Sequence, residues 1–140
     1  MTSHDMNIRI YYEDTDAGGV VYHANHLRFA ERGRTEFLRH VGFENRKLRD
    51  EHDIFFVVRD LQASYRKPAF LDDMLRMETK VTALKKTRFV MKQSLFRHEE
   101  LIFEMDVTVV CVQQDSDGVT KAVPMPNDVL DEFEKLVTKE

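Results

Sequence analysis

Residues 22–41 carry apolar side chains at helical spacing, and almost everything that follows alternates with a period of two. Leu27, Ala30, Phe37, Leu38 and Val41 fall near one helical face, while Arg28, Glu31, Arg32, Thr35 and Arg39 decorate the other. Gly42 stops the helix as a C-terminal cap. At 1.5 Å per residue this rod is roughly 30 Å long, the full width of a small domain. Gly33 costs it about 1 kcal/mol against Ala and marks either a close backbone approach or a tolerated defect.

Ahead of the helix, residues 8–12 read as a short strand and residues 13–19 as a turn with two flexible glycines. Behind it, after a polar stretch at 45–53, come strands at 54–65, 74–83, 88–97 and 101–113. Polar turns at 84–87 and 97–100 join them as antiparallel hairpins. In the last strand Leu101, Phe103, Met105, Val107, Val109 and Cys111 share a face. The opposite face begins polar and ends in Val110 and Val112, which predicts a second cover there, such as another subunit. Asn127 is expected to cap a short terminal helix. Strands and helices do not alternate, so the class is α+β: one long helix buries its stripe on an antiparallel sheet. At 140 residues the chain is expected to form a single domain over 1–140.

Composition narrows the function classes. Lys and Arg number 21 against 25 Asp and Glu, so the chain lacks the broad positive field of a nucleic-acid binder. No apolar run approaches the roughly 20 residues that span a bilayer, and the polar N-terminus does not resemble a signal peptide. The single cysteine, Cys111, excludes an intrachain disulfide and a multi-cysteine metal site, and it fits a reduced cytoplasmic compartment.

Chemistry is concentrated in Tyr11-Tyr-Glu-Asp-Thr-Asp-Ala-Gly-Gly-Val-Val-Tyr-His-Ala-Asn25. Glu13, Asp14 and Asp16 stand just before the helix, and two glycines let the backbone approach a ligand. The first helical turn leaves N–H groups without intrahelical partners, with a partial positive charge. Free amides bind a developing oxyanion, and a carboxylate attacks or activates water, a combination that suits acyl transfer. The plain alternative is that the acidic residues merely cap the helix, for about 1 kcal/mol. Competing motifs fail. A calcium loop beginning at Asp14 would place Gly18 and Asn25 at ligand positions. The Asp14-x-Asp16 pair lacks the βαβ pattern of haloacid-type phosphatases. His23 and His26 have no further partner for zinc. Neither a phosphate loop nor Gly-x-Ser-x-Gly occurs.

This segment, continuing into Phe29-Ala-Glu-Arg-Gly-Arg-Thr-Glu-Phe-Leu38, closely resembles the YbgC-type acyl-CoA thioesterases. These belong to the 4-hydroxybenzoyl-CoA thioesterase branch of the hotdog fold and are also called Tol–Pal-associated thioesterases. The likeness continues through Phe56-Val-Val-Arg59, Tyr65, Pro68-Ala69, Leu71-Asp-Asp-Met74 and Val109-Val-Cys-Val112. The resemblance implies a hotdog, a long central helix wrapped by a five- to six-stranded antiparallel sheet. It also implies pairing as a homodimer, commonly assembled into a tetramer. It implies hydrolysis of an acyl-CoA with a short or small acyl group, with Asp16 as nucleophile or general base. The His23 backbone N–H would polarise the thioester carbonyl, with the His23 side chain and Tyr12 also attributed to the site. Gly19, Val20 and Tyr22 would line the substrate. The phosphates of coenzyme A need cations, for which Arg66, Lys67, Lys85, Lys86 and Arg88 are candidates. No metal or organic cofactor is required. His26, where relatives usually carry Tyr, and Ala30-Glu-Arg-Gly33 depart from the pattern and bear on the acyl pocket.

Two other readings share the fold. One is a non-catalytic adaptor that binds acyl-CoA or acyl carrier protein beside lipid or envelope machinery. The other is a dehydratase or isomerase, which usually carries its carboxylate on the helix body, whereas Asp16 precedes the helix.

Overall fold

The computed structural model describes residues 3–138. Strand β1 (Ser3–Arg9) leads through a 3₁₀ turn (Tyr12–Asp14) to helix α1 (Asn25–His40) and a short helix α2 (Asn45–His52). Strands β2 (Phe55–Tyr65), β3 (Met74–Leu84), β4 (Arg88–Arg97), β5 (Glu100–Gln114) and β6 (Thr120–Ala122) follow, and helix α3 (Asn127–Leu136) comes last. The sheet runs β1-β3-β4-β5-β2, with β6 paired to the end of β5, and every pairing is antiparallel.

The alternation of the strands decides the inner face. Leu75, Met77, Thr79 and Val81 of β3 lie beside Met91, Gln93 and Leu95 of β4, and these beside Phe103, Met105 and Val107 of β5. All ten are essentially buried, and α1 lies across them. Phe133 of α3 meets Phe37 and Phe89 edge-on at 5.8 and 5.0 Å, closing the other end of the core.

The helix rests on the sheet at Gly33. A Cβ there would stand 2.9 Å from Met77 Cγ, 3.0 Å from Gln93 Nε2 and 3.0 Å from Thr79 Oγ1. Close approach, not tolerance, explains this glycine. At the far end Gly42 has φ +102°, its N–H donates to the Arg39 carbonyl at 3.1 Å, and the Phe43 N–H returns to the Leu38 carbonyl at 2.9 Å. These are the paired bonds of a Schellman stop, as the sequence predicts.

Some boundaries differ from expectation. The first strand lies at Ser3–Arg9 instead of 8–12, because Tyr11 and Tyr12 turn out of the sheet. As an edge strand with only Ile8 buried, β1 has little apolar alternation to betray it. The long helix begins at Asn25, since residues 22–24 form a turn. The polar stretch at 45–53 contains α2, which buries only Leu48 and so offers no stripe to read. Residue 127 is the first helical residue of α3, with Pro126 as its cap. Val110 and Val112 are already buried within one chain, alongside the returning segment that carries β6. The edge strand β2 does expose apolar residues: Val58, Leu61 and Tyr65 are 44%, 41% and 47% exposed.

Gly33→Ala should lower stability by about 1–3 kcal/mol through overpacking, although alanine favours an isolated helix. Thermal unfolding measures this, and a raised midpoint would show that the contact at Gly33 relaxes freely.

A candidate active site at the start of the long helix

Residues 14–22 form a tight hairpin that folds back on itself before α1. Thr15 pairs with Val21, the Asp16 N–H donates to the Val20 carbonyl at 2.9 Å, and the Tyr22 N–H donates to the Asp14 carbonyl at 2.9 Å. Gly19 takes φ +81° at the tip, which its missing Cβ permits. The hairpin is fastened to the loop after β2 by the Val20–Phe70 bridge and by the Val21 N–H to the Ala69 carbonyl at 2.8 Å. Buried Asn25 locks it to the helix: its Nδ2 donates to the Asp14 carbonyl at 3.1 Å, and its Oδ1 accepts from Arg28.

His23 therefore arrives at the helix start in a fixed pose. Among the described residues neither its backbone N–H nor that of Ala24 donates to a protein acceptor. The neighbouring carbonyls, by contrast, are engaged. The Tyr22 carbonyl accepts the Asn25 N–H at 2.9 Å, and the His23 carbonyl accepts the Tyr65 hydroxyl at 2.6 Å. A cleft of about 240 Å³ opens beside this turn, lined by Val21, His23, His26, Tyr65, Arg66, Lys67 and Pro68.

Of the catalytic and substrate-binding candidates named from the sequence, the cleft brings together His23, Arg66 and Lys67. The Tyr22 ring packs on that of His23 at 4.6 Å. Both cations carry ion pairs on the surface, Arg66 with Glu104 at 3.2 Å and Lys67 with Glu100 at 2.6 Å. Asp16 does not line the cleft. Its exposed carboxylate accepts the Gly18 N–H at 2.8 Å, near the tip of the hairpin, with Gly19 and Val20 beside it. Tyr12 is 80% exposed and borders a different depression with Arg9, Ile10, Tyr11, Leu71 and Asp72. Lys85 and Lys86 line a groove against α3, and Arg88 opens β4 opposite Val110. The Arg66 and Lys67 amides bond to Ile102, whereas Thr87 bonds to Cys111, nine residues further along β5. At ~3.4 Å per residue that is about 30 Å, so one chain does not gather all these cations around one ligand.

The cleft's wall also holds His26, which the sequence reading tied to the acyl pocket, and Tyr65, to which it gave no role. His26 is 3% exposed, with its ring 4.9 Å from that of Tyr65 and 5.0 Å from Phe103. Its Nδ1 is buried without a hydrogen-bond partner. Burial pushes its pKa below 6.5, against the pull of the His23 and Tyr22 carbonyls. A second, apolar cavity of about 340 Å³ lies further along α1, between Arg34, Leu38 and the start of β2. Among the described residues no group of three or more His, Cys, Asp or Glu is placed to hold a metal, and no helix is long and apolar enough to cross a membrane.

Because His26 is harder to protonate folded than unfolded, its contribution to stability is complete above pH 6.5 and declines as the pH falls below it. An NMR titration of the His26 ring should give a midpoint under 6.5, with unfolding easier at pH 5 than at pH 7. A midpoint above that value would mean that the cleft stabilises the cation.

Known proteins supply the frame for this geometry. The family model described as the thioesterase-like superfamily matches residues 11–133. The acyl-CoA thioesterase YbgC of Haemophilus influenzae is 43% identical over 92% of this chain and 93% of its own length. The acyl-CoA thioester hydrolase YbgC of Escherichia coli is 49% identical over 75% of this chain and 78% of its own. Among solved structures, a probable thioesterase from Bartonella henselae superposes with a TM-score of 0.80 at 37% identity, covering 87% of this chain and 99% of that one. The 4-hydroxybenzoyl-CoA thioesterase of a Pseudomonas species, at 24% identity, shares the fold with a TM-score of 0.87 over 93% of this chain and 98% of its own. The chain thus has the hotdog fold and belongs to the thioesterase-like superfamily, in its YbgC branch of acyl-CoA thioester hydrolases.

Proposed function

We propose that this chain hydrolyses the thioester of a small or short-chain acyl-CoA to the free acid and coenzyme A. The observation that carries this reading is the pair of unengaged amides, His23 and Ala24, at the helix start beside a cleft rimmed by Arg66 and Lys67. The thioester carbonyl oxygen would accept from the His23 N–H, where the helix dipole favours developing negative charge. Water, activated by the Asp16 carboxylate, would add to the carbonyl carbon. The carbon–sulfur bond then breaks, and the thiolate leaves and takes up a proton. Direct attack by Asp16, followed by hydrolysis of the anhydride, reaches the same products. Every step uses side chains, amides and water, without a cofactor. Roughly 3 kcal/mol from one well-aimed amide is a typical contribution to such a transition state. Arg66 and Lys67 would meet the substrate's phosphates by exchanging their present carboxylate partners. A coenzyme A substrate and the free thiol of Cys111 support a cytoplasmic, reducing location.

Assembly belongs to the same proposal. Strand β2 is an 11-residue sheet edge with apolar side chains in the open. Such an edge invites a second copy of the chain, giving a homodimer and, through its other faces, a homotetramer.

A second reading draws on the position of Asp16. Its carboxylate is held by the Gly18 N–H outside the cleft, an arrangement that suits an adaptor that holds acyl-CoA or acyl carrier protein without turnover.

Thiol release from a panel of acyl-CoAs tests both. Burial pushes the Cys111 thiol up to about 11, so the protein's own cysteine should stay silent in the assay until the chain is unfolded. Hydrolysis of small acyl-CoAs is expected, with Asp16→Asn lowering kcat about 100-fold or more. Tight binding of intact acyl-CoA with no thiol released from any of them would favour the adaptor. An Asp16→Asn variant as active as its parent would remove the carboxylate from the mechanism while leaving hydrolysis intact.

A further inference from the structure

We propose that the Ala24 N–H is a second donor to the oxyanion beside that of His23, and that Tyr65 positions it through the carbonyl of His23; the inference rests on the hydrolytic reading above. The Tyr65 hydroxyl donates to the His23 carbonyl at 2.6 Å, across 42 residues of sequence. That carbonyl and the Ala24 N–H belong to one rigid peptide plane, so fixing the oxygen fixes the direction of the hydrogen on the opposite side. The preceding plane is held differently. The Tyr22 carbonyl, which shares a plane with the His23 N–H, accepts the Asn25 N–H at 2.9 Å from within the turn. Local structure thus aims one donor, and the end of β2 aims the other. A carbonyl that accepts a strong hydrogen bond also polarises its own N–H, which makes the Ala24 amide the better donor.

The ring of Tyr65 is itself held for this task. It stands edge-on to Phe103 at 4.9 Å and to His26 at 4.9 Å. His26 is buried and unbonded at Nδ1, so its imidazole serves as a wall. Burial raises the pKa of the Tyr65 hydroxyl, which keeps it a donor throughout the neutral range. Tyr65 closes the cleft and does not react: it sets the angle at which the amides meet the carbonyl oxygen.

Tyr65→Phe keeps the ring and removes the clamp. In ¹⁵N-labelled protein the Ala24 amide should shift and exchange faster in this variant, while core amides of β4 and β5 stay put. In turnover of a small acyl-CoA, kcat should fall about 10-fold with KM changed less than 2-fold, because only the transition state needs the alignment. An unchanged Ala24 amide overturns the clamp whatever the activity. A shifted amide with unchanged kcat overturns the positioning role but leaves hydrolysis standing. Absence of hydrolysis in the parent protein overturns the hydrolytic reading and the positioning role together, and the amide shift then reports only a structural bond.

Discussion

The whole arrangement hangs on the seat of α1 at Gly33. Removal of one Cβ lets the helix backbone approach β3 and β4 until Gln93, fully buried, reaches across. Its Nε2 donates to the Ala30 carbonyl at 2.7 Å and to Thr79 Oγ1 at 3.0 Å, and its Oε1 accepts from Arg34 at 3.0 Å. A buried amide is costly unless satisfied, and here each half has a partner. The seat therefore fixes both height and rotation of the helix, which apolar contacts alone, being non-directional, specify poorly. A helix is stiff, so this contact governs its distant end. From Gly33 to the helix start at Asn25 is eight residues, about 12 Å at helical rise, and that places the turn before it against Tyr65 at the end of β2.

The other wall of the cleft is fixed electrostatically. Arg97 donates to Asp73 at 2.9 Å, to the Pro68 carbonyl at 2.9 Å and to Glu100 at 3.0 Å, while Lys67 also bonds to Glu100. The Asp73 carboxylate in turn accepts the Phe70 N–H at 2.9 Å. Lys67 and Arg97 hold Glu100 below the usual carboxylate range. This network is partly exposed, so its value lies less in stability than in fixing the loop that carries Lys67 and bridges to Val20. The hairpin of Asp16 and the cleft of His23 thus share one support.

How much of this could be read from residues alone follows the physics of each part. The strands β3, β4 and β5 were legible because buried and exposed positions alternate along them, and the Gly42 stop because only a glycine fits it easily. Helix α2 and strand β6 were not, since neither presents an apolar face of any length. The stretch from Asp14 to Asn25 announced a site, but its internal geometry depends on long-range bonds. Nothing local shows that Tyr65 will reach the His23 carbonyl, or that Asp16 will turn to Gly18. Lys86 and Arg88 looked like companions of Arg66 because all are basic and near strand ends; only the topology separates them.

Solvent is the remaining question of principle. A carboxylate exposed to water is a weak base, and an oxyanion facing water gains little from one amide. Both Asp16 and His23 lie at the surface of a single chain. Tyr65, which lines the cleft and is exposed, belongs to the same edge strand that exposes Val58 and Leu61. A second copy laid along β2 would cover those side chains and dry the helix start at the same time. Exclusion of water would raise the basicity of a carboxylate and strengthen every dipole aimed at the carbonyl oxygen. In the proposed dimer, association and catalysis would then be one requirement: the apolar edge of β2 would serve as the lid over the helix start.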